Sequence, residues 1–326
     1  MNEELSADAV AKLLSDGGAI NLSDRAKFSL TGGDRARYLS GQVTQDVKGI
    51  SDSATVYSCV TNHKGKMDGD LFITSGSGAP ESFLLDTDPV LRESLFARLE
   101  RYIIADDAEL IDVTADWHLI HILGGHSLPE KYMSRTCNRY GAPGRDYWIP
   151  ATVEISLLLS NIPTIDQSAL EIVRIMNGVP KWGAELSPDV LPPEAKLESR
   201  AISYTKGCYI GQEVISRIRS VGRVNRTLEC IEATSDAPLA AGMILLIEGG
   251  KEVGQITSAA FHPGHPDGPR WIGLAMIRRG SSDPGTHLIA QSPASSASDS
   301  GQIVLSSSVE VRNTPVPSTT VNNLDT

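Results

Sequence analysis

Residues Lys206 to Glu213 read KGCYIGQE, and no other eight positions of the chain concentrate as much chemistry: a cation, a thiol, a phenol and a polar pair suited to a helix start. Gly207 and Gly211 permit a tight bend, and Gln212-Glu213-Val214-Ile215 reads as the first turn of a helix. Cys208 then stands just ahead of a helix N-terminus and two residues from Lys206, and both neighbours favour a thiolate. The opposing reading makes Cys208 a small buried filler and the glycines packing devices, and local chemistry leaves the two readings level.

Working outward, the segment Lys206–Arg226 carries Lys206, Arg217, Arg219, Arg223 and Arg226 against Glu213 alone, in a chain whose net charge is −11. That acidic balance argues against a protein built to coat nucleic acid or anionic lipid. The local cationic stretch suits an anionic small ligand or an acidic patch on a partner, or is simply a solvated helix face.

The 326 residues, 40% of them hydrophobic, suffice for two or three packed domains. No apolar run approaches the roughly 18 to 20 residues of a membrane span, and the acidic start MNEELSADAVAKLLSDGG is unlike a targeting signal, so a cytoplasmic, monomeric protein with no membrane partner is expected. Cys59, Cys137, Cys208 and Cys230 form no close pair, which predicts reduced thiols and no stably bound metal. In FHPGHPDGP, His262 and His265 read as exposed loop residues rather than ligands. Neither a GxGxxG nor a P-loop pattern occurs.

Asp34 caps a predicted short helix over DRARYLSGQVTQDV, and TVYSCV and DGDLFITS are predicted to pair as a hairpin with His63, Lys64 and Lys66 at its tip. Asp88-Pro89 opens a second helix carrying Leu91, Leu95 and Leu99, and Ser168 with Glu171 reads as the capping box of a third that stops at Asn177-Gly178. Between 108 and 165, apolar runs such as WHLIHIL and VEISLLL read as strands. Beyond Gly222, six short β-rich runs predict a small antiparallel barrel, and NTPVPSTTVNNLDT lacks the apolar content to pack.

KGCYIGQE resembles the signature of the YgfZ family, folate-binding proteins of iron–sulfur cluster maintenance that are homologous to the aminomethyltransferase (T-protein) of glycine cleavage. YLSGQVTQDV (38–47), HKGKMDGDLFI (63–73), IMNGVPKWGAEL (175–186) and LPPEAKL (191–197) resemble, in order, the segments around that family's folate pocket.

The resemblance implies an α+β, T-protein-like folate-binding fold, a cloverleaf of packed lobes around a central cavity, closed by a C-terminal β-barrel. The expected organisation is two α+β lobes over 20–222, the barrel over 223–311 and a disordered tail over 312–326. It further implies tetrahydrofolate or a derivative as ligand, client iron–sulfur proteins as partners, tRNA-modifying enzymes among them, and no direct nucleic-acid contact.

By the same resemblance Cys208 and Lys206 are the catalytic candidates, and Asp70, Asp146, Tyr209, Gln212 and Arg217 the cofactor-binding ones. Asp70 falls where T-proteins carry an acidic pair. GAPGRDYWI (141–149) holds Arg145 and Asp146 but lacks the Glu with which T-proteins grip the pterin, which argues against the alternative, a folate-dependent aminomethyltransferase. Asp146 is the carboxylate left there for the pterin's N–H donors.

Overall fold

Alternation over Met67–Ser75 decides the centre of the molecule: Gly69, Leu71 and Ile73 turn to one face of a strand, and Asp68, Asp70 and Phe72 to the other. A computed structural model of the chain describes residues 15–76, 81–234, 236–293 and 306–315. In chain order the first elements are β1 (Gly17–Asn21), β2 (Ala26–Thr31), α1 (Arg35–Gln42), β3 (Thr55–Thr61), β4 (Met67–Ser75), β5 (Phe83–Thr87), α2 (Arg92–Glu100) and β6 (Glu109–Asp112). Then follow β7 (Trp117–Gly124), β8 (Met133–Cys137), β9 (Gly144–Pro150), α3 (Ile155–Leu158), α4 (Gln167–Met176), α5 (Glu198–Ala201) and α6 (Gln212–Ser220). The barrel consists of β10 (Arg226–Ala233), β11 (Ile244–Leu246), β12 (Glu252–His262), β13 (Arg270–Arg278), β14 (His287–Gln291) and β15 (Ser306–Arg312).

Three sheets result. A five-stranded sheet has the order β3-β4-β5-β2-β6, a four-stranded sheet the order β1-β7-β9-β8, and the last six strands close as β10-β13-β12-β11-β14-β15. The expected hairpin forms with Cys59 opposite Asp70 and Tyr57 opposite Phe72. Leu71 and Ile73 join Leu39, Leu95 and Leu99 in one core beneath α1 and α2. A second core ties the lobes together: Cys59 and Met67 from the hairpin, Ile172 and Ile175 from α4, and Leu228, Leu274 and Met276 from the barrel. Most of the stabilisation at that junction is the burial of these apolar side chains, about 25 cal/mol for each Å2 removed from water.

The six predicted barrel strands all form, among them RTLECIEA as β10 without a residue's shift. Asp88 accepts from the Val90 backbone N–H as a cap should. Three local readings need correction. The cap of α4 is Asp166, whose carboxylate accepts from the Ser168 N–H, while Glu171 pairs with Arg174 and Lys181 instead of reaching back. Within VEISLLL, Ile155–Leu158 forms a helical turn rather than a strand, because Glu154 caps the Ser156 N–H. His262 is fully buried at the end of β12, not exposed. Of the expected disordered tail, 316–326 lie outside the described residues, whereas Arg312 pairs with Cys230 in the barrel and Thr314 bonds to Glu229.

Candidate functional site

Two places carry the chemistry, a cavity beside the five-stranded sheet and the loop that bears Cys208. The cavity, of about 80 Å3, is lined by Asp70 and Phe72 of β4, Tyr57 of β3, Arg25, Arg139, Arg200 and the loop Val179–Trp182. The polar face of β4 supplies its floor, and Tyr57 lies over Phe72 with ring centroids 4.7 Å apart. Arg139 stands 3.9 Å above the Phe72 ring, a cation held against a π face in a water-poor site.

Asp70 of β4 and Asp88 are the acidic groups set against this cationic wall. Asp70 Oδ2 accepts from the Tyr57 hydroxyl at 3.0 Å, while its Oδ1 is buried without a partner. Burial raises the carboxyl above its usual range, with Arg25 and the Tyr57 hydrogen bond pulling the other way. Facing it, Arg25 Nη2 and Arg200 Nη1 are likewise buried without hydrogen-bond partners. The cavity therefore offers an unmet acceptor and two unmet donors in one space, and native proteins rarely leave such groups unsatisfied without a ligand or ordered water.

Behind the cavity an ion-pair relay fixes the arginines. Arg25 pairs with Asp86, Asp86 with Arg139 at 2.7 Å, Arg139 with Asp146 at 2.8 Å, and Asp146 with His121 Nδ1 at 2.7 Å. Asp146, expected among the cofactor-binding residues, stands in this relay. It is fully buried and outside the cavity lining, both oxygens are taken by Arg139, and its carboxyl is held below the usual range by that guanidinium against the cost of burial. It positions Arg139 and has no free lone pair for a ligand to claim.

KGCYIGQE forms a loop docked elsewhere. The Ile210 N–H donates to the Gly41 carbonyl at the end of α1, and the Thr61 hydroxyl donates to the Ile210 carbonyl at 2.6 Å. Gly211 opens α6 at φ 88°, and a Cβ there would lie 2.5 Å from the Asn62 carbonyl oxygen, so hairpin and loop meet where only glycine fits. Cys208 is exposed; the other three cysteines are buried.

Lys206 turns away from Cys208. Its three N–H donors go to the carbonyls of Ser40, Val43 and Gln45 at 2.7, 2.7 and 2.8 Å, and burial lowers its pKa to about 8. It clamps the loop to the end of α1. Tyr209 is buried with Ile202 and Ile215 and holds a position 5.2 Å from the Lys206 Nζ, not in the cavity. Gln212 begins α6 half-buried and Arg217 is exposed near its end; neither lines the cavity.

Of the predicted residues, then, the fold brings Asp70 to the cavity and Cys208 to the surface. Sequence reasoning missed Tyr57, Arg25, Arg139 and Arg200. Tyr57 could have been found from its place opposite Phe72 in the predicted hairpin; the arginines come from separated segments and share no spacing. On the barrel, Glu232, His265 and Asp267 bring possible metal ligands within 4.8 Å of one another. Arg270 and Arg312 already pair with Glu232, and the Asp267 N–H points at His265 Nδ1, so the cluster is built as an ion-pair network.

With this geometry in hand, the comparisons with known proteins become informative. The GCVT N-terminal domain family matches residues 3–138. The tRNA-modifying protein YgfZ of Colwellia psychrerythraea is 27% identical over 239 residues, covering 67% of this chain and 72% of that protein. These matches support a YgfZ-like protein built on the GCVT fold. The mitochondrial iron–sulfur cluster assembly factor IBA57 homologue of Mycosarcoma maydis is also 27% identical to the chain, over 68% of the chain and 59% of the homologue. The glycine cleavage system aminomethyltransferase T of Bartonella henselae superposes with a TM-score of 0.77 at 18% identity, covering 93% of the chain and 87% of that structure. That superposition runs through the barrel and shows that the chain has the T-protein fold. No described helix is long and apolar enough to cross a membrane.

Proposed function

We propose that the chain binds a reduced folate in the Asp70 cavity and acts through Cys208 in the assembly or repair of iron–sulfur clusters on client enzymes, tRNA-modifying ones included. The observation that carries the folate half is the unpartnered, buried Asp70 Oδ1 beside the unpartnered nitrogens of Arg25 and Arg200. A pterin edge presents adjacent amino and ring N–H donors with a carbonyl acceptor, so one carboxylate and two guanidinium N–H groups match it in kind. Tyr57, Phe72 and Trp182 supply flat apolar surface beside them.

The donor set fits, while the cavity of about 80 Å3 is below the roughly 300–1,000 Å3 typical of small-molecule sites. Binding therefore requires the lining to part. When bound, a tetrahydrofolate supplies a one-carbon carrier and a reduced ring. The chain's own contribution is to orient it, with Asp70 as acceptor, Arg25 and Arg200 as donors, and Arg139 held rigid by Asp86 and Asp146.

The names of the relatives support the cluster half of the reading, and the exposed Cys208 gives it an atom: a thiol able to meet a client's cluster or sulfur. Glycine-cleavage-type aminomethyl transfer would use the same cavity but leave Cys208 without a task. Calorimetry with tetrahydrofolate tests the proposal. Saturable binding, weakened at least tenfold in Asp70→Ala, is expected; no heat with any reduced folate, polyglutamates included, overturns it.

A further inference from the structure

A second and larger groove, of about 710 Å3, opens between the C-terminal half of α6 and the start of the barrel. Arg219 of α6, Arg223 of the following linker and Arg279 just beyond β13 all line it, and all three are exposed. Their neighbour Arg226 is paired with Glu194, but these three have no carboxylate within ion-pair distance among the described residues. Three guanidiniums without a carboxylate partner thus meet around one groove.

The rest of the lining is not that of a plain solvated face. The Arg219 guanidinium carbon stands 3.8 Å from the centre of the Tyr204 ring, a cation–π contact within the lining. Ile202, Ile218 and Val224 add an apolar floor. Glu198 is the single carboxyl in the lining, against three arginines.

We propose that this groove is a binding site for a small organic phosphate carrying two or more closely spaced phosphoryl groups. Three guanidinium forks arriving from a helix, a linker and a strand end need several oxygens disposed in different directions, which tetrahedral phosphoryl groups present and a lone planar carboxylate does not. The apolar floor and Tyr204 receive the organic part. The groove's volume lies in the roughly 300–1,000 Å3 range of small-ligand sites. The site is separate from the Asp70 cavity and does not depend on the folate reading.

Calorimetry on the full chain with adenosine triphosphate and with inorganic pyrophosphate as probes tests the site. One saturable event is expected for each, weakened at least tenfold in Arg223→Ala/Arg279→Ala, with the melting temperature unchanged because both side chains are exposed. Arg219→Lys, which keeps the charge and loses the fork, is expected to weaken both probes as well. No binding, or binding that the double variant retains, overturns the proposal. Tetraglutamate binding as tightly as adenosine triphosphate overturns the phosphate preference, and a mixed-sequence oligoribonucleotide binding tenfold tighter than adenosine triphosphate makes the surface an RNA contact instead.

Discussion

Lys206 Nζ lies 2.7 Å from the carbonyl oxygen of Val43, and with Ser40 and Gln45 this contact holds the Cys208 loop against the end of α1. The ammonium is a tether, and its removal is a test of architecture. Lys206→Met should lower stability by about 1–3 kcal/mol, since carbonyls that lose a buried donor retain their desolvation cost. The pH dependence has a definite sign. The folded pKa of about 8 lies below the ordinary 10.5, so the group's contribution is greatest above the unfolded value and is lost as pH falls through about 8. Denaturation of wild type and variant across that window should show the slope in wild type alone; an unchanged melting temperature in Lys206→Met would remove the tether.

Asp70 predicts a trade of stability against binding. Its carboxyl is raised above the unfolded value, so its contribution is fully present below the unfolded pKa and lost as pH rises through the folded one. Asp70→Asn should therefore stabilise the folded chain at neutral pH, with the gain vanishing in acid where both side chains are neutral. Tetrahydrofolate affinity should fall in the same variant. Thermal melts at neutral and acid pH check the first part, and a variant less stable than wild type at neutral pH would contradict it.

How much of this was legible in the sequence varies with the range of the interaction. Strand alternation is local, so RTLECIEA and WIGLAMI announced β10 and β13, and the pattern through Leu71 and Phe72 announced the hairpin. Asp70 was legible because its neighbours resemble an acidic pair of known position. The Lys206 clamp was not legible, because nearness in sequence to Cys208 is visible, whereas three carbonyls at 40, 43 and 45 waiting for an ammonium are not. The partners of Asp146 were not legible, because the alternation of β9 fixes its face but not what packs there, and there His121 and Arg139 reach it. The groove arginines were legible as a charge run; that Arg279 joins them is a product of barrel closure.

Trp182 lines the cavity whose lining must part on binding. Tetrahydrofolate should therefore change the intrinsic tryptophan emission, and Trp182→Phe should abolish most of the change. Trp117, Trp148 and Trp271 lie outside the lining and serve as the internal control. A signal that survives in Trp182→Phe would place the moving segment elsewhere.

Gly211→Ala should be costly despite adding one methyl group. At φ 88° an L-residue is strained, and its Cβ would press on Asn62 O at 2.5 Å and Thr61 Oγ1 at 2.8 Å, both on the hairpin side. A loss of about 1–3 kcal/mol is expected from the backbone strain alone. Gly207→Ala, with no atom within 4 Å of its Cβ and no positive φ, is the matched control and should cost little. Equal melting temperatures for the two variants would refute the close approach of loop and hairpin.

Cys208 carries the sharpest test of the proposed activity. It is exposed, whereas Cys59, Cys137 and Cys230 are 0%, 5% and 8% exposed. Burial also pushes the thiols of Cys59 and Cys137 well up and that of Cys230 up to about 11, so little thiolate forms on them at neutral pH. Iodoacetamide should label the native protein at one position, and mass spectrometry of the digest should find it at Cys208. Cys208→Ser should melt with wild type, since the side chain is exposed, and should bind tetrahydrofolate unchanged, since it lies outside the cavity. It should nevertheless fail to restore iron–sulfur enzyme activity in a strain lacking its own family member, because oxygen in place of sulfur keeps the shape and removes the reactivity. The contrast with Lys206→Met separates chemistry from architecture, the lysine variant losing stability first and the cysteine variant losing function alone. A Cys208→Ser protein that restores activity fully would assign the work to the folate cavity and leave the exposed thiol without a part in it.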